Sequence, residues 1–183
     1  MATQDALGFI GVGVMGEPMC RNLAAKSGRR IVAYDSNPAP LARLAPHGVS
    51  AAASISELTG AVEGVFLCLP GEPQVRQAVL EEGGVLAHAR RGQFLVDCST
   101  APPRLARELE AACAAKGVDF ADAPVARTRE AAHSGTLSIM AGGKAETIAR
   151  VRRFLACLGS DITHCGGAGA GQVVKLLNNT VLA

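Results

Sequence analysis

Lys175 and Asn179 stand four residues apart in GAGQVVKLLNNTVLA, an apolar stretch that follows a glycine run and reaches Ala183. Side chains at that spacing share one helix face. An amine beside a carboxamide, on a helix otherwise made of Val, Leu and Ala, can serve as a proton donor with its orienting partner. Taken alone, a single Lys on a helix is far more often a solvated surface charge. A second constellation lies at the other end of the chain. LGFIGVGVMGEPMCRNLAAKSG gives an apolar run, then G-x-G-x-x-G at Gly11, Gly13 and Gly16, then an amphipathic helical pattern carrying Met15, Met19, Leu23 and Ala24. Gly11 permits a tight strand-to-helix turn, Gly13 lets a pyrophosphate approach the backbone, and Gly16 allows helix to pack closely on strand. The phosphates would then meet unpaired N–H groups at the helix N-terminus. Asp35 ends the next strand, in IVAYDSN, where a carboxylate accepts both adenosine ribose hydroxyls and repels a 2′-phosphate. That favours NAD over NADP. The other reading of Asp35 is a turn residue before Asn37-Pro38.

These residues need strands and helices to hold them. Apolar strand candidates alternate with helical patterns: LGFIGV, RRIVAYD, GVFLCLP, QFLVDCS, GVDFADA, TLSIMAG and SDITHC. Such alternation predicts an α/β fold, Rossmann-type and doubly wound, with a mainly parallel sheet covered by helices. The expected organisation is an NAD-binding domain over residues 1–165, followed by a glycine run and the start of a helix over 166–183. Leu69-Pro70 falls at a strand's C-terminal end, where open α/β sheets bind ligands. Ser99 and Thr100 leave another strand just before Pro102 and Pro103, a place for a helix cap and for a cofactor contact, which are compatible. In APVARTRE, Arg127, Thr128 and Arg129 can clamp an anion through forked hydrogen bonds. They can also be solvated loop charges, more naturally so for Arg129 beside Glu130.

Composition excludes several classes. With 183 residues and 49% hydrophobic side chains, the chain can bury a substantial core. A formal charge of +2, spread along the sequence, leaves no footprint for nucleic acid or an anionic membrane. No apolar run reaches membrane-spanning length, and no signal-like segment opens the chain. The six cysteines show neither C-x-x-C nor Cys/His metal spacing, so buried free thiols in a reducing cytoplasm and no metal site are expected. The four histidines share no common spacing; surface or loop placement is expected, with His164, next to the glycine run, close enough to contact a cofactor.

The glycine fingerprint with Met15, the DCST strand end, the DAPV segment with GTLSIMAGG, and G-x-G-x-x-x-K-x-x-x-N occur in order from about Leu7 to the C-terminus. Together they resemble the β-hydroxyacid dehydrogenases, the group that includes 3-hydroxyisobutyrate dehydrogenase and tartronate semialdehyde reductase. The resemblance implies that Lys175 is the catalytic acid/base and that Asn178 and Asn179 lie at the substrate, with Ser99 also on the substrate side. It implies that Val14, Met15, Asp35, Leu69, Pro70 and Thr100 line the cofactor beside the three glycines. Hydride transfer between NAD and a small anionic hydroxy acid or semialdehyde follows, as does a homo-oligomer in a full-length form. The chain departs from the pattern in two ways. Where the family has Ser-Gly-Gly after DAPV, this sequence has Ala126, Arg127 and Thr128 as the substrate-binding segment. Losing two glycines removes backbone freedom for wrapping an anion, while Arg127 adds a charged fork; an Arg-Thr pair there is similar to the sulfolactaldehyde reductase branch. The family also continues into an all-helical domain that is absent from this chain, which stops inside the interdomain helix. Two alternatives remain: imine reduction, whose enzymes lack the Lys, and a catalytically incompetent dehydrogenase-like domain serving as a nucleotide-binding or oligomerisation module.

Overall fold

The computed structural model describes residues 5–181; Leu182 and Ala183, the expected end of the last helix, lie outside the described residues. Strand β1 (Ala6–Ile10) leads through a glycine turn into α1 (Gly16–Lys26), then β2 (Arg30–Tyr34), α2 (Pro38–Leu44), β3 (Val49–Ala51), α3 (Ile55–Ala61) and β4 (Gly64–Leu67). Helices α4 (Glu72–Leu80) and α5 (Val85–His88) precede β5 (Phe94–Asp97), α6 (Pro103–Ala115), β6 (Asp119–Asp122) and β7 (Val125–Ala126). The chain closes with α7 (Arg129–Ser134), β8 (Leu137–Gly143), α8 (Ala145–Leu158), β9 (Gly159–Gly166) and α9 (Ala170–Val181).

Six parallel strands run in the order β3-β2-β1-β4-β5-β6. The order reverses between β1 and β4, the switch point outside which doubly wound sheets bind ligands. The expected mainly parallel sheet is therefore present, with an irregular extension. Strand β8 runs antiparallel to β6 and β7, and parallel to β9. Pairings Ala121↔Gly143, Asp122↔Gly142, Val125↔Ile139 and Ala126↔Ser138 keep one register, so β6 and β7 are a single strand interrupted at Ala123-Pro124. Two short strands, β3 and β7, were not among the elements expected from sequence; each has too few residues to show an alternating pattern.

The central strands are buried on both faces, as a helix-covered parallel sheet requires. On one face Phe9, Phe66, Phe94 and Phe154 pack together with Met19 and Leu23 of α1; the Phe94 and Phe154 rings stack 5.8 Å apart. On the other face Ile10, Val65, Leu67 and Leu95 meet Leu105 and Leu109 of α6. This double core fixes the C-terminal strand ends in one row, and the loops leaving them form the site. Helix α9 packs against β8 and α6 through its first turn, where a side chain at Gly171 would overlap the Met140 carbonyl. Further along, Leu177 is 61% and Val181 84% exposed.

Candidate active site

The turn after β1 builds the first wall. Gly11 has φ +87°, open to glycine and strained for other residues, and its N–H donates to the Tyr34 carbonyl at 3.0 Å. A Cβ on Gly16 would overlap the Gly11 carbonyl, so glycine is what lets α1 start against the strand. Gly13 differs: no protein atom lies within 4 Å of the Cβ it lacks. Neither packing nor backbone angle in the protein demands glycine there, and the space beside its backbone is open to a ligand. The first N–H groups of α1 have no carbonyl of their own helix to bind, and they carry its positive dipole end.

Around this turn lies a cavity of about 900 Å³, at the upper end of the roughly 300–1,000 Å³ usual for ligand sites. It is lined by Gly11, Gly13, Val14, Met15 and Gly16 from the turn and by Asp35 after β2. Leu69 and Pro70 after β4, Ser99 and Thr100 after β5, Arg127 after β7 and Lys175 of α9 also stand at its walls. One Asp35 oxygen accepts the Val12 N–H and the other the Asn37 N–H, each at 2.8 Å. The carboxylate thus pins the glycine turn, and each oxygen keeps a second lone pair for a ligand hydroxyl.

Lys175 is half-buried, and that burial lowers its amine below the ordinary lysine value. Arg127 has φ +87°, the one left-handed non-glycine residue among those described. The arginine thus holds a backbone conformation that glycine adopts freely, at a cost of roughly 1–3 kcal/mol. One guanidinium nitrogen donates to the Thr136 carbonyl at 2.7 Å, and the residue lines the cavity. Cys68 and Cys98 line the cavity as well. Burial pushes the Cys68 thiol up to about 12 and Cys98 well above the ordinary value, so neither supplies a thiolate nucleophile.

Four expected substrate residues stand away from the cavity wall. Ala126 is buried in β7. Thr128 caps α7, its hydroxyl accepting the Ala131 N–H at 3.4 Å. Asn178 and Asn179 lie further along α9, Asn179 exposed. Ser99 does line the wall, but its hydroxyl accepts the Leu69 N–H at 2.9 Å and so braces the Leu69-Pro70 segment. His164 lies at the surface beside the Gly143 and Gly166 carbonyls, 3.0 Å from each. Sequence reasoning passed over Asp122 and Gln172, two fully buried polar residues below Lys175. The signal was available for Gln172, an uncharged polar residue inside an apolar helix. Among the described residues, no group of three or more His, Cys, Asp or Glu side chains can hold a metal ion, and no helix is long and apolar enough to cross a membrane.

A G-x-G-x-x-G turn at a β1/β4 switch point, with a carboxylate after β2, defines a dinucleotide-binding α/β domain. Residues 6–167 match the family described as the NAD binding domain of 6-phosphogluconate dehydrogenase, and the chain belongs to that family. It is 40% identical over 176 residues to a 3-hydroxyisobutyrate dehydrogenase of Pseudomonas aeruginosa, an alignment covering 96% of this chain and 59% of that protein. It is 37% identical over 177 residues to an NAD-dependent L-serine dehydrogenase of the same bacterium, covering 97% and 59%. The Mycobacterium tuberculosis 3-hydroxyisobutyrate dehydrogenase solved with L-serine superposes with a TM-score of 0.91 at 36% identity, over 98% of this chain and 60% of that one. The chain spans about three fifths of the length of these relatives.

Proposed function

We propose that this chain is the cofactor-binding part of an NAD-dependent oxidoreductase acting on a short 3-hydroxy acid or its semialdehyde. The observation that carries the reading is a single cavity lined by the glycine turn, Asp35, Arg127 and Lys175. Relatives named as hydroxyacid dehydrogenases support it and disfavour a merely nucleotide-binding module. The glycine turn and the start of α1 would hold the pyrophosphate, and Asp35 the adenosine ribose, with NAD preferred because the carboxylate repels a 2′-phosphate. The bound nicotinamide supplies a hydride acceptor or donor.

Lys175 handles the proton. As an ammonium it donates to the carbonyl oxygen when the substrate is reduced; as an amine it takes the hydroxyl proton when the substrate is oxidised. Its burial brings the amine form closer to neutral pH, as a base requires. Arg127 binds the acidic head group, a carboxylate or a sulfonate. Replacing Lys175→Met removes the proton relay and leaves the cofactor wall intact. Turnover should fall at least a thousandfold while the NADH Kd, read by fluorescence titration, stays within twofold; near-normal turnover would overturn the assignment. Comparing kcat/KM on sulfolactaldehyde with that on unsulfonated semialdehydes decides the head group, and strong preference for the latter removes the sulfonate.

A further inference from the structure

Lys175 reaches the cavity from a helix whose later turns are open to solvent, so its position must be set at the helix start. Two buried side chains are placed to do this. Asp122, at the end of β6, directs one carboxylate oxygen to the Gly169 N–H at 2.7 Å and the other to the Gln172 N–H at 2.9 Å. These are N–H groups that the first turn of a helix leaves without partners, and a carboxylate there also meets the positive dipole end. The fit is tight: a Cβ on Gly142 would lie 2.5 Å from one Asp122 oxygen, and one on Gly171 2.8 Å from the other.

Gln172 ties the same turn to a different element. Its carboxamide oxygen accepts the Ala101 N–H at 3.1 Å, and its nitrogen donates to the Ser99 carbonyl at 2.8 Å. Ser99 in turn holds the Leu69 N–H on its hydroxyl. A continuous buried path therefore runs from the cofactor wall at Leu69 through Ser99 and Gln172 to Asp122. Gln172 also sits three residues before Lys175, on the same face of α9.

We infer that Asp122 and Gln172 are positioning residues that fix Lys175 at the cavity by clamping the first turn of α9 to β6 and to the segment after β5. The inference rests on the proton-transfer reading of Lys175. Neither residue lines the cavity, so both act through the helix.

The test uses the whole protein that contains this chain, with Asp122→Asn and Gln172→Met. Asn at 122 presents an NH2 group to one of the two helix N–H donors; Met at 172 keeps the length of the side chain and loses both hydrogen bonds. Each should lower kcat at least tenfold and leave the NADH Kd within twofold. Each should also move the alkaline rise of the oxidation rate to higher pH, because a loosened helix rehydrates Lys175 and its amine returns toward the ordinary lysine value. The charged groups lining the cavity with Lys175, namely Asp35, Glu81 and Arg127, are unchanged in both variants. If kcat stays within twofold, or falls with no shift of the pH limb, the inference is overturned, since a lower folded fraction alone gives the second result. Should Asp122→Asn fail to fold, Gln172→Met, which retains the carboxylate anchor, decides it alone. Full turnover by Lys175→Met would refute the proposed function instead; a dead Lys175→Met beside unshifted Asp122→Asn and Gln172→Met refutes only this inference.

Discussion

Asp35 and Asp122 both sit at the C-terminal ends of strands and both bind two backbone N–H groups, yet they organise their surroundings differently. Asp35 is half-buried and holds residues of its own switch-point loops, Val12 and Asn37, while facing the cavity. Asp122 is fully buried and recruits a helix 47 and 50 residues further along the chain. The β1/β2 end of the sheet is thus a local ligand cradle, assembled by adjacent loops. The β6/β8 end is a junction that brings a distant helix and its lysine to that cradle.

Damage to the cradle should abolish binding outright. Gly16→Val drives a side chain into the Gly11 carbonyl, and NADH affinity should fall more than a hundredfold by fluorescence titration; near-normal affinity would show that close helix packing is not what forms the turn. Next to the junction, the end of β5, where Asp97 pairs with Asp122 across the sheet, should instead reveal itself through pH. Burial raises the Asp97 carboxyl to about 6, against about 3.9 when unfolded. A raised acid pKa contributes stability that is full below the unfolded value and is lost as pH rises through the folded one. Between pH 4 and pH 7 the protein should lose on the order of 2–3 kcal/mol from this group. Asp122, raised in the same direction by burial, adds with the same sign. Urea unfolding at both pH values should show a smaller fall for Asp97→Asn; an equal fall would mean that Asp97 does not titrate in this range.

Asp35→Ala, smaller in effect than Gly16→Val, removes both the ribose acceptor and the brace on Val12. NADH affinity should drop about tenfold, near 1.4 kcal/mol, and the NADH-over-NADPH preference should shrink in paired titrations. The smallest effect carries two signs. Arg127→Gly relieves the left-handed strain and should raise stability by about 1 kcal/mol, while KM for an anionic substrate rises; loss of stability would place the arginine's worth in its bond to Thr136 rather than in ligand binding.

The contrast between the two ends also governs what could be read from sequence. Gly11, Gly13, Gly16, Asp35, Leu69 and Pro70 were legible because each role depends on a short stretch: a turn, a strand end, a loop. Strands β1, β2, β4 and β5 were legible for the same reason, as apolar runs between helical patterns. Asp122 and Gln172 were not read: their bonds span about 50 to 70 residues, and the one local mark, a polar Gln172 inside an apolar helix, does not say which elements it joins. Arg127 was picked out for its charge, and it lines the cavity; its left-handed backbone has no mark in residue type. Thr128 illustrates an ambiguity of type: a hydroxyl before a short helix serves as a cap or as a ligand, and the α7 cap takes it.

The unbroken register across Ala123-Pro124 makes β8 a ruler for both sides of the interruption. Asp122, which holds the lysine helix, and Arg127, which lines the cavity, are measured off the same partner strand. Residue 127 can therefore be substituted at the cavity wall while the helix anchor stays in place. A one-residue insertion or deletion between 122 and 125 would swap the sides of the sheet that Val125 and Ala126 face, and shift Arg127 with them. This part of the cavity wall is open to substitution and closed to changes of length.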